Sequence, residues 1–306
     1  MMAPYFIGTG LLLVAFAMGF VASRTTLCSV RAVNEILFER RTSLLVSYGQ
    51  TMLWVVAISL VFEGVFGASA SNPAHFSLQG ETLAGGFLFG VGAAFNGGCS
   101  LHTFTRLGQG DFAMAISIFG LSCGALLVKL IYLLSSGMTP VQTVAVFSFD
   151  PLYLQIITVI LSAWMAFRLL CWLWQFKFTQ AKTRLLAVKY DLSNAAMILG
   201  IGNGLLFVLV GTWMYTNTLI QSLTNVIFAD SVYYQEIPVI MWLMLVVLLA
   251  GVMVSAALKG TFKLLIKPSW QWLQFFFAGS LMGGGAALIP GGNDTLLLNA
   301  IPSLSP

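Results

Sequence analysis

Eight apolar runs, at 6–22, 43–66, 82–95, 111–134, 151–176, 192–214, 237–257 and 270–289, dictate the solvent in which this chain folds. Most approach the roughly 20 residues that a bilayer's hydrocarbon requires. A segment crossing lipid must satisfy its own backbone polar groups, which makes each run a helix. Only 8% of the residues are charged and the mean hydropathy is +0.92, far from the roughly 25% charged residues of soluble domains. The expectation is an all-α polytopic membrane protein with about eight to nine transmembrane helices. The first run has neither a basic region before it nor a clean small-residue cleavage site, so it reads as a span and not as a cleaved signal.

Positive charge sets the orientation, because short loops rich in Lys and Arg stay on the cytoplasmic side. Arg24, Arg31, Arg40 and Arg41 cluster in one connection, Lys177, Lys182, Arg184 and Lys189 in a second, and Lys259, Lys263 and Lys267 in a third. The intervening segments 67–80, 135–150 and 219–236 contain no Lys or Arg. This alternation predicts a multi-pass membrane protein with both termini outside. The net charge of +4 is then mostly topology, and no nucleic-acid partner is expected. The stretch 177–190, basic with interspersed apolar residues, reads as a cytoplasmic linker or an interfacial helix.

The chain also resembles itself. Gly86–Cys99 overlays Gly279–Gly292, matching Gly86, Leu88, Gly90, Gly92, Ala93, Ala94 and Gly98. Gly8, Gly10, Leu13 and Gly19 overlay Gly200, Gly202, Leu205 and Gly211, and Thr26-Leu27 overlays Thr218-Leu219. The charge-derived topology sends the paired runs in opposite directions, so residues 1–150 and 192–306 read as inverted repeat halves joined by a connecting span and linker at 151–191. Inverted repeats with interrupted helices are a transporter architecture. Gly85, Gly86, Gly90, Gly92, Gly283, Gly284 and Gly285 read as close-packing positions. Gly97-Gly98 and Gly291-Gly292 instead end apolar runs and introduce polar residues, which marks a helix break.

Broken helix inside a membrane is tolerated only where it is buried in protein or faces a wet path, so the breaks select the candidate residues. A helix restarting after Gly98 offers unpaired N–H groups to an anion, and Pro290-Gly291-Gly292-Asn293 offers the same in the second half. Asp294 and Asp111 read as helix caps. Cys28 and Cys99, unlike Cys123 and Cys171 in the middle of apolar runs, have polar neighbours where a thiol is a weak hydrogen-bond donor or a soft sulfur contact. Arg24 and Arg106 either attract an anion or simply obey the inside-positive bias. His102 reads as hydrogen-bonded to backbone; with His75 the only other histidine, no metal site is expected, nor any cofactor. The chain has no GxSxG, no HExxH, no paired carboxylates at a common break and no phosphate-binding loop, which argues against an enzyme.

"NGGCSLHTFTRLGQGD", "GFVASRTTLCSVRAV" and "GGGAALIPGGNDTLLLNAIP" together resemble the YeeE/YedE family of bacterial sulfur-transport membrane proteins, over almost the whole chain. The resemblance implies uptake of a small sulfur oxoanion, thiosulfate above all, through a narrow path lined by cysteines whose S–H groups contact the ion. Cys28 and Cys99 match two of those cysteines, and Gly292 stands where the family commonly has a third. It also implies a cytoplasmic sulfur-carrier protein as the acceptor. Three rivals stand beside this reading: a non-transporting membrane subunit or sensor in sulfur metabolism, a transporter of a different sulfur or selenium compound, and a membrane thiol enzyme handling sulfane sulfur at Cys99.

Overall fold

Each of the eight apolar runs folds into a long helix. These are α1 (Ala3–Arg24), α3 (Ser43–Phe66), α4 (Gly80–Asn96), α6 (Ala113–Leu134), α7 (Pro151–Gln175), α8 (Leu192–Val210), α10 (Val239–Leu258) and α11 (Gln271–Leu288). Among the described residues three shorter α-helices lie between them, α2 (Ser29–Asn34), continued by a π-helical turn at Glu35–Glu39, α5 (Ser100–Gly108) and α9 (Tyr215–Ile227). The computed structural model describes residues 3–25, 27–66, 80–135, 151–175, 187–211, 213, 215–227, 236–266, 269–289, 291–292 and 295–297. Most of the linker expected at 177–190 falls outside the described residues. The segment 219–236, read from sequence as a connection, is helical as far as Ile227. Its Asn, Gln, Ser and Thr residues kept it from registering as an apolar run, yet with Leu219, Ile220 and Leu223 they make an amphipathic helix.

Among the described residues, six stretches are long and apolar enough to cross a membrane: Gly8–Glu39, Ser43–Phe62, Ala113–Leu134, Gln155–Trp174, Leu192–Val210 and Val239–Leu258. The protein is an all-α polytopic membrane protein. The two glycine-rich helices differ. With 17 residues in α4 and 18 in α11, they reach about 26 and 27 Å at 1.5 Å per residue, short of the roughly 30 Å of hydrocarbon. Helix α4 stops where Gly97-Gly98 begins, and α11 stops at Leu288, shortly before Gly291-Gly292.

The helices pack as close pairs: α6 and α4 against α11, α1 against α10, and α3 against α8, with α1 also touching α8. In lipid, apolar side chains gain little by leaving a solvent of the same kind, so helix association depends on close backbone approach. That is where the glycines act. A Cβ on Gly283 would sit 1.7 Å from the Leu121 carbonyl oxygen, one on Gly124 2.0 Å from that of Ser280, and one on Gly279 2.0 Å from that of Ser117. Gly85, Gly92 and Gly285 also sit in tight contacts between α4 and α11, at 2.5–2.8 Å, whereas Gly86 and Gly90 face outward with nothing within 4 Å. Those two are not packing positions, because they fall on the opposite side of α4 from Gly85 and Gly92. Helix α7 is peripheral: it packs on α3, where Trp54 and Trp164 rings lie 5.1 Å apart, and Arg168 donates to the Ser193 hydroxyl.

At the end bearing Lys259 and Lys263, the chain after α10 seals the α5–α6 corner. Lys263 N–H donates to the Gln109 carbonyl (3.0 Å), Leu265 N–H to that of Gly110 (2.9 Å) and Phe112 N–H to that of Leu265 (3.2 Å). Asp111 caps α6 as expected, its Oδ1 accepting from Ala113 N–H at 3.3 Å.

The glycine contacts yield a paired expectation. Gly283→Ala places a methyl against the Leu121 carbonyl and should destabilise the protein by about 2 kcal/mol or more, the scale of core overpacking. Gly90→Ala meets nothing and should leave the melting temperature unchanged. Thermal unfolding of the two variants in detergent checks the contrast.

Candidate functional site

Helix α4 ends in a hydrogen-bond arrangement that only glycine accommodates comfortably. Gly97 takes φ +73°, its N–H donates to the Ala94 carbonyl (3.1 Å), and Gly98 N–H donates to that of Ala93 (3.0 Å). This double return is the Schellman termination, with glycine in the left-handed position. Asn96 holds the break from inside. Its Nδ2 donates to the Gly98 carbonyl (3.1 Å) and to Thr103 Oγ1 (2.6 Å), while its Oδ1 accepts from Ser117 Oγ (2.8 Å). With Asn96 only 2% exposed, one amide joins α4, α5 and α6 and satisfies groups that the break strips of helical partners.

Cys99 then occupies the N-cap of α5 and Cys28 that of α2, both extended in backbone. Both are free thiols and both are buried. The two thiols lie close enough to interact. Around Cys28 Sγ lie the backbone N–H groups of Cys99, Val30 and Arg31, and around Cys99 Sγ those of His102 and Ser29. Each thiol thus faces amides of its own helix start and one from the other helix. Two residues distant in sequence build one cluster of thiol and amide donors.

Gly98 completes this arrangement by lacking a side chain. A Cβ there would lie 2.3 Å from His102 Cδ2, so the imidazole rests on the glycine. Below Cys28 opens a cavity of about 390 Å³, lined by Ser23, Cys28, Arg31, Asn34, His102, Lys259 and neighbouring residues. Its wall mixes polar and apolar groups and carries two cationic side chains, of which Lys259 donates to the Ser23 carbonyl (2.7 Å). Ser23 Oγ, in that wall, is buried with no hydrogen-bond partner among the described residues.

The second break has different geometry. Gly291 takes φ +129°, its N–H donates to the Ile289 carbonyl at 2.6 Å, and Gly292 accepts from Leu296 N–H at 3.1 Å. A Cβ on Gly291 would meet Thr295 Oγ1 at 2.6 Å and Asn217 Oδ1 of α9 at 3.0 Å. Beyond this break, Leu297 packs against the cluster containing Leu27 and Ala32, so the chain returns to the flank of α2. Asn293 lies outside the described residues.

The two arginines occupy other contacts. Arg24, 2% exposed, donates from Nε to Ser255 Oγ (2.9 Å) and from Nη1 to the Ala187 carbonyl (2.6 Å), and lies over the Phe20 and Tyr190 rings. Arg106 pairs with Asp111 at 2.6 Å; the α5 residues lining the cavity are His102 and Thr105. Sequence reading brought Cys28, Cys99 and Gly98 to the cluster. It passed over Asn96, Ser23, Arg31 and Lys259. Asn96 had a signal, an amide directly before a glycine pair in an apolar run, whereas the inside-positive bias already accounts for Arg31 and Lys259.

A family model described as sulphur transport matches residues 24–306, and the chain belongs to that family. No curated protein matches it.

Asn96→Leu removes the donors to Gly98 and Thr103 and the acceptor for Ser117. The loss should be about 1–3 kcal/mol, the cost of stranding buried polar groups, and it should loosen the break. A lower melting temperature together with faster labelling of Cys99 by a maleimide is the expected result, measured against the wild type.

Proposed function

We propose, with membership of a sulphur-transport family as the premise, that this protein carries a small sulfur oxoanion, thiosulfate in the first instance, into the cell through the Cys28–Cys99 cluster. The observation that carries the reading is the meeting of two buried thiols with the amides of two helix starts, directly above a polar cavity holding Arg31 and Lys259. An oxoanion leaving water needs donors on its oxygens, and backbone N–H groups at helix starts supply them without adding a mobile charge. Its sulfane sulfur needs soft, polarizable neighbours, and thiols supply those. The cations of the cavity then draw the ion onward. Gly98, Gly291 and Gly292 contribute by letting backbone approach the passage, and Asn293 by its amide. Arg24 and Arg106 shape the field at the inner end, Arg24 through its buried charge and Arg106 with its charge reduced by Asp111.

The passage lies, in this reading, between two inverted halves, 1–150 and 192–306, joined through 151–191. The helix pairing supports it. If α1, α3 and α4 correspond to α8, α10 and α11, a twofold operation turns the α1–α10 contact into α8–α3 and returns α4–α11 to itself, and these are the observed pairs. At the α4–α11 crossing, a Cβ on Gly92 would meet Ala278 O and Met282 N, and one on Gly285 would meet Gly85 O and Phe89 N, which are matched positions in the repeat. The protein sits in the bacterial inner membrane with both termini outside, so the cavity faces the cytoplasm, where a sulfur-carrier protein accepts the cargo.

Uptake of radiolabelled thiosulfate into cells expressing the wild type, Cys28→Ser or Cys99→Ser tests this. The wild type should accumulate label and each variant should lose at least about 90% of it, a loss of at least about 1.4 kcal/mol of passage-lowering interaction. Full uptake by Cys99→Ser sinks the proposal. A rise in thiosulfate flux with Gly292→Cys would identify the native cargo as a different sulfur anion.

A further inference from the structure

We infer that Lys129 is an anion-recruiting residue at the end of the passage opposite the Arg31–Lys259 cavity, in a subsite shared with Gln221 and Thr224 whose ligands are small divalent oxoanions. This rests on the transport reading above and adds an entry site to it.

Helix α6 starts beside Leu265, at the end marked by Lys259 and Lys263. Lys129 lies 16 positions beyond Ala113, roughly 24 Å along the helix axis. An ammonium there interrupts an otherwise apolar span, is half-buried, and carries a desolvation cost that membrane helices tolerate chiefly where the charge has work to do. Its two hydrogen bonds go to neutral groups, Thr224 Oγ1 at 3.0 Å and Gln221 Oε1 at 3.3 Å. Among the described residues no carboxylate lies within 4.0 Å of it, the single ion pair being Arg106–Asp111. The nearest turn does carry a carboxylate contact, but Glu81 there accepts from the Tyr132 hydroxyl at 2.8 Å. Among the described residues the Lys129 charge is therefore held in place and not cancelled, and an ammonium has three donors.

Helix α9 connects this cation to the second break. Asn217, Gln221, Thr224 and Asn225 recur at helical spacing along one side of it, and Gln221 Nε2 donates to Asn225 Oδ1 at 2.9 Å. Asn217 abuts Gly291. Polar side chains thus run along α9 from the break to Lys129, between apolar neighbours that offer an anion nothing. A plain α6–α9 tie would need only the hydrogen bonds; a positive charge is superfluous to it.

The test separates charge from tie. Lys129→Gln keeps polarity and removes charge, Lys129→Arg keeps charge, and Gln221→Glu keeps the tie while cancelling the charge from 3.3 Å away. Initial rates of radiolabelled thiosulfate uptake should show KM raised about tenfold in Lys129→Gln and in Gln221→Glu, with maximal rate within about twofold of wild type, and Lys129→Arg close to wild type, as expected when a fixed charge concentrates its ion. An unchanged KM in Gln221→Glu overturns the inference even if Lys129→Gln fails to reach the membrane. Loss of folded protein in Lys129→Gln with normal KM in Gln221→Glu assigns Lys129 to structure alone. A wild type that takes up no thiosulfate overturns the transport reading and this one with it.

Discussion

In hydrocarbon, a backbone amide or carbonyl that loses its helical partner finds no water to replace it, so a helix that stops partway across must carry its own substitutes. The break after α4 meets this requirement with few parts. Gly97 turns the chain so that two amides fold back onto Ala93 and Ala94, and Asn96 takes the Gly98 carbonyl, Thr103 and Ser117 into one network. The amides at the starts of α2 and α5 are the ones that face the thiols.

The surrounding packing keeps that arrangement rigid. Small residues bring α6 and α4 onto α11 at backbone contact, and the hydrophobic cluster of Phe89, Ala93, Leu121, Ala125, Ile220, Met282 and Ala286 fills the junction, with Val30 of α2 against it. Val30 couples the Cys28 segment to the same block that carries Asn96 and Cys99. Two cysteines on separate segments are thereby fixed relative to one another.

Sequence made the spans and the break after α4 legible because lipid imposes strong rules: a run length, a charge bias and a penalty for irregular backbone; polar neighbours and the family resemblance singled out Cys28 and Cys99. It did less well wherever a residue served two rules at once. Lys259 and Arg31 obey the inside-positive bias, which by itself accounts for a cation at that end of the protein, yet both also line the cavity. Lys129 sits inside an apolar run whose hydropathy of 2.1 swamps a single charge. Helix α9 was hidden by its own amides and hydroxyls, which lower hydropathy without preventing an amphipathic helix. Gly86 and Gly90 were misjudged as packing positions because the face a glycine presents depends on which side of α4 meets α11, a choice made by the neighbour.

The carbonyl-to-glycine contacts between α6 and α11 bear on how such a protein can change shape. Two helices whose backbones touch at Gly120, Gly124, Gly279 and Gly283 cannot roll or slide by a fraction of a turn without collision. They act as a strut. Any breathing that admits cargo must therefore come from short, irregular pieces leaning on that strut, which makes the protein's moving parts small and its frame stationary.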